Sequence, residues 1–267
     1  MHMTTFLDRR FVRWLPVFVL LLGTVKVFAE DSELAMKGYC PVSIITLNRP
    51  VLGGTSFRSV YQGFTYVLAD AETKAKFEAD PAKWVPQFGG FCTTALGGSY
   101  GNRITADPTV YRVREGKLYL FSSERARNSF DPNPDHYISQ ATERFNKPAL
   151  GGHCLVSYVN QGKPVPGDAK YADTYAGVVY HFADESARAA FRKEPAKYLP
   201  AYGGFCVDGI ANEKRFPGDP KTFTVYEDHL YFFFDDKAKK TFEANPKEMI
   251  EKANTQWPVL RRAKPTP

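Results

Sequence analysis

Residues 58–61 and 64–68 are two β-favouring runs separated by Gln62-Gly63. Apolar alternation on either side of a glycine-containing dipeptide predicts a β-hairpin. Asp70 then stands where a helix N-cap is expected, and residues 71–79 are good helix formers carrying one large apolar residue, Phe77. Pro81 ends that helix, because the residue before a proline avoids the helical region. Ser122, Asp184 and Asp235 hold the matching cap positions further along. Neither a nine-residue helix nor a two-stranded hairpin is stable alone, so such units must pack on one another.

The pattern recurs four times. Cys40 and Cys92 are 52 residues apart, and so are Cys154 and Cys206. A shift of 114 residues lays Gly63 on Gly177, Tyr66 on Tyr180, Phe77 on Phe191, and Gly89-Gly90-Phe91-Cys92 on Gly203-Gly204-Phe205-Cys206. With two residues fewer the match runs on to Asn133-Pro134 over Asn245-Pro246. Each half is itself doubled, since a shift of 53 carries Gly63 to Gly116, Tyr66 to Tyr119 and Phe77 to Phe130. Repetition on this scale makes one supersecondary unit the building block. The unit reads Gly, an aromatic or His, Cys, a turn, a Tyr-rich strand and a short polar helix with one Phe, starting from Gly38, Gly90, Gly152 and Gly204. Pairing the first unit with the second and the third with the fourth predicts an α+β protein of two tandem domains, residues 30–145 and 146–267. The join falls in the polar stretch 142–150.

The first 29 residues stand outside this repeat. Arg9, Arg10 and Arg13 precede an apolar run over 14–25, and Val27-Phe28-Ala29 has the small-residue form of a signal-peptidase site, so residues 1–29 are expected to be a signal peptide. The run falls short of the roughly 20 residues needed to span a bilayer, which predicts a periplasmic or secreted protein with no stable membrane insertion after cleavage. Cleavage leaves 31 basic and 28 acidic side chains, a net charge of about +3, too mild and too evenly spread to argue for nucleic acid as partner. The 21 Phe and 15 Tyr fit small units that fill their cores with large rings.

Gly38-Tyr39-Cys40-Pro41-Val42-Ser43, Tyr61-x-Gly63-x-x-Tyr66 and Phe77-x-x-x-Pro81-x-x-Trp84, with Gly89-Gly90-Phe91-Cys92, resemble the YHS domain, a relative of the TRASH metal-sensing modules. Gly152-His153-Cys154, Tyr175-x-Gly177-x-x-Tyr180 and the stretch to Cys206 repeat the likeness. The resemblance implies a link to soft metals, copper above all, through the lead cysteines Cys40, Cys92, Cys154 and Cys206. The further cysteine pair of that pattern is missing, since residues 67–71 and 181–184 hold no thiol.

Two chemistries compete for the four cysteines. An even number in an exported chain suggests two disulfides, Cys40 with Cys92 and Cys154 with Cys206, if equivalent positions of paired units meet near a pseudo-twofold axis. Each bridge would close a loop of about 50 residues and add on the order of 4 kcal/mol. The same convergence would instead set two thiolates about one cuprous ion, which prefers sulfur, with His153 as an added nitrogen ligand in the second half. The expected function is therefore soft-metal binding or handling with a copper ion as the one cofactor considered, and the alternative is a disulfide-stapled interaction module without metal. The partner is correspondingly a soft metal ion or an exported protein.

Nothing in the sequence dictates a reaction: phosphate-loop, His-Glu-x-x-His and dinucleotide motifs are missing, and the glycine-rich stretch Gly97-Gly98-Ser99-Tyr100-Gly101, although it has Gly-x-Ser-x-Gly spacing, reads as a turn, which predicts a protein that is not an enzyme. Trp84, Phe88, Tyr198 and Tyr202, beside the Gly-Gly-Phe-Cys loops, are candidate ligand-binding rings. Exposure of these rings around a concave pocket would favour that role, and full burial would count against it.

Overall fold

A computed structural model describes residues 33–261; the expected signal peptide lies outside the described residues. The protein is mixed α+β, with small antiparallel hairpins and short helices following one another in four similar units.

Unit one holds β1 (Glu33–Leu34), α1 (Pro41–Leu47), β2 (Arg58–Tyr61), β3 (Phe64–Val67), α2 (Ala71–Ala79) and α3 (Pro81–Trp84). Unit two holds α4 (Thr93–Gly97), β4 (Asp107–Arg114), β5 (Lys117–Phe121), α5 (Glu124–Phe130) and α6 (Pro134–Phe145). Unit three holds α7 (Leu155–Gln161), β6 (Asp168–Tyr175), β7 (Val178–Phe182), α8 (Glu185–Lys193) and α9 (Pro195–Tyr198). Unit four holds α10 (Val207–Ala211), β8 (Asp219–Tyr226), β9 (His229–Phe233), α11 (Asp236–Ala244) and α12 (Pro246–Leu260). β1 adds in parallel to β3, making the first hairpin a three-stranded sheet.

Every unit opens on three consecutive residues with positive φ, namely Met36-Lys37-Gly38, Phe88-Gly89-Gly90, Leu150-Gly151-Gly152 and Tyr202-Gly203-Gly204. The last glycine has φ between 80° and 84° in each, a conformation that side chains bearing a Cβ adopt only under strain. This left-handed turn reverses the chain so that the amide of each following cysteine reaches a carbonyl across the loop. The acceptors are Val51, Ile104, Val165 and Phe216, at 2.8–2.9 Å. Each cysteine is then the N-cap of a short helix, a placement that period reading of the sequence did not reveal.

The hairpins turn where expected, with Tyr61 opposite Phe64 around Gln62-Gly63. In the other three, an aspartate at the start of the first strand accepts the amide two residues on, Asp107 from Thr109, Asp168 from Lys170 and Asp219 from Lys221. The register shifts just after each, so the aspartates hold β-bulges. Asp70, Asp184 and Asp235 cap α2, α8 and α11. The expected cap at Ser122 is corrected to Ser123, which accepts the Ala126 amide; Ser122 instead donates to the Cys92 sulfur.

One ring nails each helix to its hairpin. Phe77, Phe130, Phe191 and Phe242 are buried, with ring centroids 4.9, 5.9, 5.8 and 5.2 Å from Tyr66, Tyr119, Tyr180 and Tyr231. Burial of a phenylalanine contributes about 2–3 kcal/mol, which a helix this short needs to persist. The closing helix is four residues long in units one and three, because Pro86 and Pro200 follow, and long in units two and four, where α6 and α12 run on to pack against α4 and α10. Units one and two share one hydrophobic core. Leu230 and Phe232 of unit four enter the core built around Tyr158, Phe182 and Phe191 of unit three, and the Tyr158 hydroxyl donates to the Pro220 carbonyl at 2.7 Å.

Candidate functional site

Cys40, Cys92, Cys154 and Cys206 are buried free thiols, no more than 1% exposed. Their surroundings are helical N-termini. The Cys40 sulfur accepts from the Ser43 amide at 3.4 Å, and Cys92 receives the Ser122 hydroxyl at 3.4 Å. Cys154 and Cys206 belong to separate cores. Burial pushes the Cys206 thiol above its ordinary value, which keeps it protonated and unreactive at neutral pH.

These positions correct both readings of the cysteines. No disulfide joins Cys40 to Cys92 or Cys154 to Cys206. Among the described residues no group of three or more His, Cys, Asp or Glu side chains surrounds a point that would hold a metal ion, so soft-metal binding, and copper with it, is overturned. The donor set does not fit: all four sulfurs are buried among core residues, with Cys40 taken up by the Ser43 amide and Cys92 by the Ser122 hydroxyl. His153, expected as an added ligand, sets Nδ1 against the Leu150 carbonyl at 2.9 Å and lies on a bridge to Pro166, so its ring serves the left-handed turn.

Trp84, Phe88, Tyr198 and Tyr202 are all buried, at 4–8% exposure, and belong to the cores. The Trp84 indole donates to the Lys76 carbonyl at 2.9 Å, and the Tyr202 hydroxyl to Asn254 at 2.9 Å. Phe88 alone of the four also reaches the wall of a groove.

That groove lies where the third unit meets the first two. The amide of Ala176, in the β6–β7 turn, donates to the carbonyl of Gln62, in the β2–β3 turn, at 2.7 Å. Arg103, in the loop after α4, donates through Nη1 to the Gly177 carbonyl at 2.7 Å and through Nη2 to the Phe145 carbonyl at 3.5 Å. Its guanidinium lies 5.5 Å from the ring centroids of both Phe91 and Phe145. A Cβ on Gly89 would stand 2.8 Å from the Gly177 Cα, and one on Gly177 would stand 3.1 Å from the Phe91 ring. Backbone meets backbone here, and glycine permits it. Between these contacts Gln62, Tyr66, Gln87, Phe88, Phe145 and Thr174 line a space of about 150 Å³.

A second cavity, of about 400 Å³, lies between the end of α1 and β4 and is lined by Asn48, Tyr111, Arg112 and Arg127 among others. Both guanidiniums there are held by carboxylates, Arg112 by Asp131 at 2.6 Å and Arg127 by Glu124.

Sequence reasoning passed over Arg103, Phe145, Gly89 and Gly177 as a set. One signal was present, since Gly89, Phe91, Arg103 and Phe145 each have a repeat counterpart in Gly203, Phe205, Arg215 and Trp257.

The molecule is thus an α+β protein of four repeated units in which a hairpin turn of the third is docked against the first two. No protein-family model matches the chain, and no solved structure matches it. Cilia- and flagella-associated protein 206 of Rattus norvegicus is 35% identical to it over 79 residues, which are 29% of this chain and 12% of that protein.

Proposed function

We propose that the chain is an exported, non-catalytic protein-binding module built from tandem YHS-like units, whose partner is another polypeptide. The reading is carried by the seam at Gly177, where a β-hairpin turn of one unit is seated on a glycine, two aromatic rings and an arginine of another. A surface that holds a turn within the chain has the chemistry to hold a turn of a second polypeptide: main-chain hydrogen bonds for affinity and ring faces for shape. Size points the same way. A space of about 150 Å³ accepts a side chain or two, well below the roughly 300 Å³ at which small-molecule sites begin. The 79-residue likeness to part of a much longer cilia- and flagella-associated protein also suits a module used in different surroundings.

A photo-crosslinking amino acid at Gln62 or Gln87, both half-buried in the groove, tests this in the producing cell against the exposed Lys240 as control. Discrete protein adducts from the groove positions and none from Lys240 are expected; equal labelling at all three, or none, would remove the proposal.

A further inference from the structure

The groove at the seam carries donors with nothing of this chain to bond. Tyr66 lines it at 4% exposure, and its hydroxyl has no hydrogen-bond partner among the described residues. The side-chain amides of Gln62 and Gln87, half-buried in the same walls, have none among those residues either. Burial raises the Tyr66 pKa, so this hydroxyl keeps its proton and stands as a donor. The rings of Phe88 and Phe145, with centroids 5.9 Å apart, supply apolar wall beside these donors. Charge narrows the guest further. No side chain lining the space is acidic or basic, so a charged group would enter without a counter-charge. What fits is a neutral guest with an apolar body and a hydrogen-bond acceptor.

The chain seats such a group elsewhere in its own fold. Pro220 of unit four lies beside the left-handed turn of unit three, 3.8 Å from a Cβ placed on Gly151, and its carbonyl accepts the Tyr158 hydroxyl at 2.7 Å. Tyr158 stands among rings, with the Phe223 and Phe232 centroids 4.7 and 5.2 Å from its own. In the first pair the matching step, Asp107-Pro108, approaches the turn of unit one, where Lys37 reaches Asp107 at 3.8 Å. Unit three opens its hairpin with Asp168-Ala169, so the turn of unit two, at Phe88-Gly89, receives no proline from its neighbour. The groove at that turn has the same parts: a left-handed backbone, a tyrosine donor and ring faces. Proline suits such walls for a physical reason. It offers an apolar ring and a carbonyl acceptor but no N–H to be left unpaired, and its fixed φ lowers the entropy lost on docking.

We infer that the groove lined by Tyr66, Phe88 and Phe145 binds a proline-bearing segment of the partner polypeptide, with the Tyr66 hydroxyl donating to the carbonyl of that proline. The inference rests on the protein-binding reading and names what the partner must present.

Fluorescence anisotropy tests it, with the full-length protein titrated into labelled pools of short peptides that have one position fixed and the others randomised. The pool with proline fixed is expected to bind at least ~10-fold more tightly than pools with leucine, lysine or glutamate fixed, about 1.4 kcal/mol. Tyr66→Phe keeps the ring and removes only a hydroxyl without a partner in the fold, so the protein still folds and the proline pool should bind ~5-fold more weakly. Tyr100→Phe, at a ring 90% exposed outside the groove, should bind as wild type does. Equal binding of all pools, preference for a charged pool, or a Tyr66→Phe protein that binds like wild type overturns the inference. So does binding that appears only after deletion of residues 262–267, since Pro265 and Pro267 of the chain's own tail would then be the guest. If Gln87 crosslinks to a partner protein while the proline pool shows no preference, the inference falls and the protein-binding reading stands.

Discussion

Arg103 donates to the Gly177 carbonyl at 2.7 Å while its guanidinium lies 5.5 Å from the ring centroids of both Phe91 and Phe145. Burial pulls this guanidinium below its ordinary pKa, yet an arginine remains charged at neutral pH, so its hydrogen bonds are charge-assisted. A charge-assisted hydrogen bond is worth about 1.5–3 kcal/mol, and ring contacts add about 0.5–1 each.

Arg103→Ala is therefore expected to destabilise the protein by about 2–4 kcal/mol and to let units one and two unfold separately from units three and four. Denaturant unfolding followed by tryptophan emission reads this as a second transition. Arg103→Lys should recover little, because lysine has neither the planar fork nor the stacking face.

The phenylalanine that pins each helix sets a second expectation. Phe191 is 1% exposed and meets Tyr175, Tyr180 and Phe182. Phe191→Ala should cost about 3–5 kcal/mol and lower the melting temperature by about 10 °C, in calorimetry. A loss under about 1 kcal/mol would mean that α8 does not depend on this ring.

Buried tyrosines predict the alkaline limit of stability. Burial raises Tyr66, Tyr158 and Tyr202 above the ordinary value of 10.0 and pushes Tyr231 up to about 12. Between pH 10 and 12 the folded state holds these protons while the unfolded chain releases them, so stability is full below pH 10 and falls as pH rises. Tyrosinate absorbance from these residues should appear together with loss of ellipticity. Ionisation that precedes unfolding would refute the assignment.

The thiols give a direct check on the corrected chemistry. All four cysteines are buried and free. Protein purified without reductant should show slow reaction with a thiol reagent when native and four equivalents in denaturant. Two or fewer would restore a disulfide.

Helix capping offers a smaller test. Asp184 accepts the Ala187 amide at 2.7 Å. Asp184→Ala should cost about 1 kcal/mol by chemical denaturation, and Asp184→Ser should recover most of it.

Local signals were legible along the chain. Gln62-Gly63 marks the hairpin, Asp70 and Pro81 bound the helix 71–79, and the repeat fixes how many times the unit is used, because turn chemistry, capping and proline act within a few residues of where they are written. The helices after the cysteines were not legible. Pro41–Leu47 and Thr93–Gly97 are five to seven residues long and rich in β-branched side chains, so propensity points elsewhere, and burial of Val42, Ile44 and Leu96 holds them in place. Burial also decided the candidate rings: Trp84, Phe88, Tyr198 and Tyr202 read as surface or core from sequence alone, and the packing of paired units encloses them. The cysteines show the limit most plainly. Sequence determined their number, spacing and repeat position, which suit a bridge or a cuprous ion equally well. Tertiary structure buried each thiol unpaired, and likewise brought Gly89 against Gly177, because what a side chain packs among and what a glycine lies against depend on backbone approaches between residues far apart in the chain.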